Sequence, residues 1–216
     1  DNNTCVGTNT GLNIVGGSNN TFIGHYSGML HSTANCTYVG HLAGYNSSGD
    51  NNTALGQGAL NGAGGSNNMC LGYSATTSAG DSANQITLGN ASITTLRCAD
   101  TSISSLSDRR DKTDIVDLPL GLDFLNSVRP VKFKWQTRDK TESKDGTIRA
   151  GFIAQELQEV QKDSDYLDLV MDDNPDKLEA KQGNLIPVMV QAIKELSAKN
   201  DALAAEVEQL KSQLNN

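Results

Sequence analysis

Ser107 and Lys112 are the residues through which this chain can do covalent chemistry. A serine hydroxyl is a weak nucleophile until a neighbouring base takes its proton. No histidine occurs in 107–216, so a Ser-His-Asp triad within that stretch is excluded. Lysine can serve instead where burial lowers its pKa toward neutrality. A turn or bent strand can bring together two side chains five residues apart in sequence. On spacing alone, Ser107 reads sooner as a helix cap over Asp111, and Lys112 as a solvated side chain.

Other candidate groups are sparse. His25 and His41 recur at one position of a repeat described below, and His31 falls in an intervening turn. Stacked or surface imidazoles are expected there rather than a metal site. Cys5, Cys36, Cys70 and Cys98 form no CxxC pair and have no histidine at ligand spacing. Free thiols are expected, as suits assembly in a reducing compartment. No metal and no cofactor is called for.

The elements that must position Ser107 and Lys112 differ on either side of the pair. Residues 1–106 hold 17 of the 21 glycines, one basic residue (Arg97) and four acids (Asp1, Asp50, Asp81 and Asp100). Residues 107–216 carry the remaining charge, and the whole chain has a net charge of −8. The composition predicts two domains, 1–106 and 107–216. A net acidic chain without a basic cluster argues against nucleic acid as a partner. The absence of a long apolar run argues against membrane insertion.

The first half repeats. NTCVG, NTFIG, CTYVG, NTALG, NMCLG and QITLG end at Gly7, Gly24, Gly40, Gly56, Gly72 and Gly89, a period of 16 or 17 residues. Val6, Ile23, Val39, Leu55, Leu71 and Leu88 occupy one aliphatic position, and Thr4, Thr21, Thr37, Thr53, Met69 and Ile86 stand two residues earlier. Strand side chains alternate, so these two rows share a face, expected to be the core face. The middle row, Cys5, Phe22, Tyr38, Ala54, Cys70 and Thr87, is expected to face outward or toward a neighbouring chain. One repeat cannot bury a core alone, so the copies must stack. The pattern predicts a β-solenoid or triple β-helix shaft, too narrow for a lone monomer. Asn-x-Ser/Thr triplets follow from the repeat and are not read as glycosylation sites. Residues 90–106, rich in β-branched side chains, predict a final strand region.

The second half predicts a small α+β domain. Residues 119–128 read as a helix ended by Pro130, 131–135 and 148–154 as partner strands around a charged tip at 137–147, 154–161 as a helix, and 166–171 as a strand. The C-terminus, about 184–216, carries heptads. Met189, Leu196, Leu203 and Leu210 fall at a; Ile186, Ile193, Asn200, Val207 and Leu214 fall at d. This is a coiled-coil seam with one polar position, which can fix register and strand number.

SDRRDKTDI (107–115) resembles the opening of the S74 peptidase family, the endosialidase-type intramolecular chaperones, through Ser107, Asp108, Arg110, Lys112, Asp114 and Ile115. LPLGLDFLNSVRPVKFKW (118–135), GFIAQELQEV (151–160) and NLIPVMVQAIKEL (184–196) resemble later motifs of the same family in the same order. The repeats are similar to those of phage tail-fibre shafts and, more loosely, to the heads of trimeric bacterial adhesins. Two departures are Asp111, where an aliphatic residue usually precedes the lysine, and Gly183 and Asn184, where an aromatic usually precedes the last helix.

The resemblance implies an intramolecular chaperone that assembles a fibre shaft as a homotrimer and then cuts itself off between Leu106 and Ser107. By the same resemblance Ser107 is the nucleophile and Lys112 the base, with Asp108 and Arg110 as candidate support. An acid at Asp111 is expected to raise the pKa of Lys112 and slow the cut. A viral tail fibre, spike or appendage in the virion is the implied setting, assembled in the host cytoplasm, with a host cell-surface receptor as a partner of the parent fibre. Two other readings stand beside it: an uncleaved trimeric surface adhesin with a permanent coiled-coil stalk, and a protein resembling the myelin regulatory factor.

Overall fold

The computed structural model describes residues 2–29, 32–100, 102–137 and 143–214, with the side chains of 143–145 excepted. His31 and the tip of the charged segment lie outside the described residues. The chain divides into two units, Asp1–Ile103 and Ser104–Asn216.

The first unit is a β-solenoid wound by a single chain. Strands β1 (Thr4–Val6), β2 (Thr21–Ile23), β3 (Thr37–Val39), β4 (Thr53–Leu55), β5 (Met69–Leu71) and β6 (Ile86–Leu88) form one parallel sheet in sequence order. Equivalent residues pair from rung to rung, as in Thr21 with Thr37 and Phe22 with Tyr38. The other sides of the coil stack by the same interval: the N–H groups of Gly28, Gly44 and Leu60 donate to the carbonyls of Ala43, Ala59 and Ala75 at 3.0, 2.9 and 2.8 Å. Of the two shaft architectures expected from the repeat, the strand pairing is that of a solenoid.

The face assignment from sequence is inverted. Phe22, Tyr38, Ala54 and Cys70 are each 0 % exposed, whereas Ile23 is 40 % and Leu55 52 % exposed. The aliphatic and threonine rows point out, and the middle row fills the coil. Alternation correctly separated the two faces. It could not say which was inside, because both carry apolar residues.

The interior explains why the repeats drift. Four residues after the terminal glycine stand Gly28, Gly44 and Leu60. A Cβ at Gly28 would lie 2.5 Å from the Phe22 ring, and one at Gly44 2.3 Å from the Tyr38 ring. Where the inward strand residue shrinks to Ala54, the turn supplies buried Leu60 instead. Large and small thus exchange places within each rung at nearly constant volume. Phe22 and Tyr38 stack with ring centroids 5.0 Å apart. The Tyr38 hydroxyl lies 3.3 Å from Ser47 Oγ.

Two asparagine ladders lock the register. Asn2, Asn19, Asn35, Asn51, Asn67 and Asn84 all adopt left-handed backbone with φ near 59°, a conformation asparagine tolerates well. Their side chains bond from rung to rung, as in Asn19 Nδ2 to Asn35 Oδ1 at 3.2 Å. One residue on, buried Asn52 donates to the carbonyls of Gly49 and Gly65, both at 2.9 Å, and accepts from Asn68 N–H at 2.8 Å. The triplets that begin at Asn2, Asn19, Asn35 and Asn51 are therefore turn residues of a stacked repeat.

Residues 90–106 form no strand among the described positions and are exposed. Their β-branched side chains meet no following rung, so strand propensity goes unused.

The second unit is α+β. A single 3-10 turn (Arg109–Asp111) precedes α1 (Leu122–Ser127), the antiparallel hairpin β7 (Val131–Gln136) and β8 (Ser143–Gly151), and α2 (Ala154–Gln161). The expected strand at 166–171 begins instead as a 3-10 turn at Asp165–Leu167, and only its last two residues are strand. These form β9 (Val170–Met171), paired antiparallel with β10 (Glu179–Ala180). The last helix, α3 (Ile186–Leu214), packs on α1. Val128, Leu157, Leu167, Leu169, Val170, Leu185 and Val188 form the core, with Phe124 and Phe152 against it.

The exchange between Tyr38 and Gly44 gives a direct prediction. Tyr38→Ala should cost about 3–5 kcal/mol through the cavity it leaves, and Gly44→Leu about 1–3 kcal/mol through overpacking. The double variant, which copies the Ala54–Leu60 pair, should be more stable than the sum of the two losses allows. A double-mutant cycle from chemical unfolding checks this, and simple additivity would contradict the proposed exchange of volume.

Candidate functional site

The junction residues are placed by a local turn. Asp108 caps the 3-10 turn, its Oδ1 accepting the Arg110 N–H at 2.9 Å. The Asp111 and Lys112 N–H groups then donate to the Asp108 and Arg109 carbonyls, each at 3.2 Å. This fold-back spans the five residues between Ser107 and Lys112, and Lys112 Nζ donates to Ser107 Oγ at 2.6 Å. The cap is Asp108, not Ser107, which leaves the serine hydroxyl available to the lysine.

Arg110 turns its guanidinium onto Asp108, with Nη2 2.6 Å from Oδ2 and Nε 3.0 Å from Oδ1. This pairing holds the Asp108 carboxyl below its ordinary value, through the Arg110 side chain first and its N–H second, and raises the guanidinium. Arg110 therefore orders the turn in this arrangement rather than facing Ser107. Asp111 makes no ion pair with Lys112 among the described residues.

Leu106, on the acyl side of the expected cut, is fully exposed, as are Ser107 and Lys112. In a single chain the pair is brought together but not shielded from water.

The seam residues sit where the heptads put them, on α3. Ile186, Met189, Ile193, Leu196, Asn200, Leu203, Val207, Leu210 and Leu214 are all exposed. Val188 and Ala192, on the opposite side of the first turns, are buried against the domain. Helix α3 thus spends one face on its own core and offers the other outward.

Two anchors of α3 were not legible in the sequence. Glu195 Oε2 accepts the Leu122 N–H at 2.8 Å, capping α1, and Gln191 donates to its Oε1 at 3.1 Å. These bonds hold the Glu195 carboxyl below its usual range. A Cβ at Gly121 would press on the Glu195 carboxylate and displace this acceptor. Asn184, at the family departure, donates to the Leu167 and Asp168 carbonyls at 3.2 and 2.8 Å. It ties the start of the helix to the preceding turn by polar bonds. The Glu195 contact crosses 73 residues of chain, so no local pattern announces it.

In the shaft, His25 and His41 stack with ring centroids 5.3 Å apart. Cys36 and Cys70 are buried free thiols, and Cys5 and Cys98 exposed ones. Among the described residues, no helix is long and apolar enough to cross a membrane.

Residues 107–166 match the family model Peptidase S74, described as chaperone of endosialidase. The match begins at Ser107 and stops before α3. No curated protein matches the chain, and no solved structure matches it.

The turn has a titration signature. Because Arg110 depresses the Asp108 pKa, the pairing is intact above the ordinary carboxylate range and is lost only as pH falls through the lowered folded value. The Asp108 carboxyl carbon, followed by NMR, should titrate at higher pH in Arg110→Ala than in the native chain. An unchanged midpoint would mean that the guanidinium does not hold the carboxylate in solution.

Proposed function

We propose that residues 107–216, of which 107–166 match the Peptidase S74, chaperone-of-endosialidase, model, trimerise the chain through α3, bring three shafts together, and then sever themselves from them at Leu106–Ser107. The observation that carries this reading is the 2.6 Å approach of Lys112 Nζ to Ser107 Oγ at the first residues of the family segment.

Ser107 Oγ attacks the carbonyl carbon of Leu106 in its own chain. The Oγ–C bond forms, and the C–N bond between Leu106 and Ser107 breaks. Lys112 takes the hydroxyl proton and delivers it to the departing α-amine of Ser107. Water then splits the ester, restoring the hydroxyl and leaving Leu106 as a carboxylate. Nucleophile and scissile bond belong to adjacent residues, so proximity supplies much of the rate and one turnover suffices.

The lysine must accept a proton here, whereas in the single chain its ammonium donates one to Ser107. Loss of water around Lys112 favours the neutral amine. The exposed junction leaves that shielding to be supplied by neighbouring copies, so cutting follows assembly. The α3 seam supports the same order: a 29-residue helix with an exposed apolar heptad face is a ready interface for parallel copies. Release of the clamp afterwards makes the shaft slow to disassemble. A trimeric fibre, spike or appendage of a virion, bearing a host receptor site elsewhere, is the setting this chemistry suits.

Purified chain should yield a product beginning at Ser107. Ser107→Ala and Lys112→Arg should each slow its appearance by about 100-fold or more, since arginine keeps the charge but cannot serve as the base. Leu196→Asp with Leu203→Asp should abolish both the trimer in sedimentation and the cut. Rapid cleavage in Lys112→Arg would overturn the dyad, and rapid cleavage by a monomer would overturn the order of events.

A further inference from the structure

The outward face of the solenoid sheet is unusual for a surface in water. Its two rows are Thr21, Thr37, Thr53, Met69 and Ile86 on one edge and Ile23, Val39, Leu55, Leu71 and Leu88 on the other, opened by Thr4 and Val6. No charged residue occurs in β1–β6. The solvent face of a sheet ordinarily alternates to polar residues. Six rungs about 4.8 Å apart make the face roughly 24 Å long. A continuous apolar strip on that scale marks an interaction site.

The two edges differ in shape. Along the first, Thr53, Met69 and Ile86 line a shallow groove walled by the Asn51, Asn67 and Asn84 ladder. Along the second runs a ridge-like row of branched aliphatic side chains, with Leu55 and Leu88 each 52 % exposed and Val39 and Leu71 half-buried.

We infer that this face is the seam between copies of the shaft, with the Leu55–Leu71–Leu88 ridge of one chain seated in the Thr53–Met69–Ile86 groove of the next. The inference rests on the trimer proposed above and deepens it by naming the surface. A ridge that fits a different edge is a heterologous contact, which closes into a ring when repeated around an axis. The occupant is a second copy for two reasons. The first 106 residues hold one basic and four acidic side chains, so no charge on the shaft selects a foreign partner. The ridge and groove also share one rung spacing, so parallel copies brought level by a common clamp meet rung against rung. The buried Phe22–Tyr38 row serves each chain by itself, and the outer rows serve the assembly.

The test uses the full chain carrying Ser107→Ala, so that shaft and clamp stay joined, with Cys5→Ser and Cys98→Ser removing the exposed thiols. Leu55→Cys and Leu88→Cys, two positions of the row that are exposed in the single chain, are each compared with Asn61→Cys in an exposed turn by rate of maleimide labelling, beside sedimentation of the same sample. The expected result is a trimer in which the ridge thiols react at least tenfold more slowly than the turn thiol. A trimer labelled equally fast at all three sites would overturn the seam, open the face to some other occupant, and leave the proposed trimerisation standing. A monomer would overturn the trimer and the seam with it.

Discussion

A rung of 16 or 17 residues encloses very little volume, and the shaft follows from that limit. Each strand contributes one inward side chain, so every rung must be filled jointly by that residue and by the turn across from it. Aromatic rings at Phe22 and Tyr38 demand Gly28 and Gly44 opposite; Ala54 admits Leu60. The backbone stays in register throughout, because parallel bonds and two asparagine ladders hold each turn to the next. No rung could hold this geometry alone.

The same narrowness leaves apolar residues over. Two of the three strand positions face out, and most of them are aliphatic or threonine. The second unit has a comparable surplus, since α3 buries Val188 and Ala192 but exposes its heptad face. Both halves are complete enough to fold their backbones and incomplete as surfaces. In the proposed trimer both surpluses are covered, and a helical clamp aligns chain ends that would otherwise have to find one another.

The site depends on something more local. Asp108 and Arg110 order one 3-10 turn, and that turn alone carries Lys112 back to Ser107. Geometry is settled within six residues, whereas the environment that would make the amine a base is not. Separating the two fits the proposed self-cut, in which a pair formed early but shielded late acts only after assembly.

The sequence by itself determined much of this. The repeat period, the two-domain division of composition, helix α2 at 154–161, the β7–β8 pairing and the heptads of α3 are periodicities or composition shifts that a linear string displays. The Ser107–Lys112 pairing needed a resemblance as well, since the spacing alone favours a capped turn. Which face of the strands is inside was decided only in three dimensions. Alternation marks two sides but not their direction when both are apolar, and the volume match between Tyr38 and Gly44 exists only once the turn folds over the strand. Contacts such as Glu195 to Leu122 join residues far apart in the chain, so their physical cause, a helix end in need of an acceptor, appears only when the two helices meet.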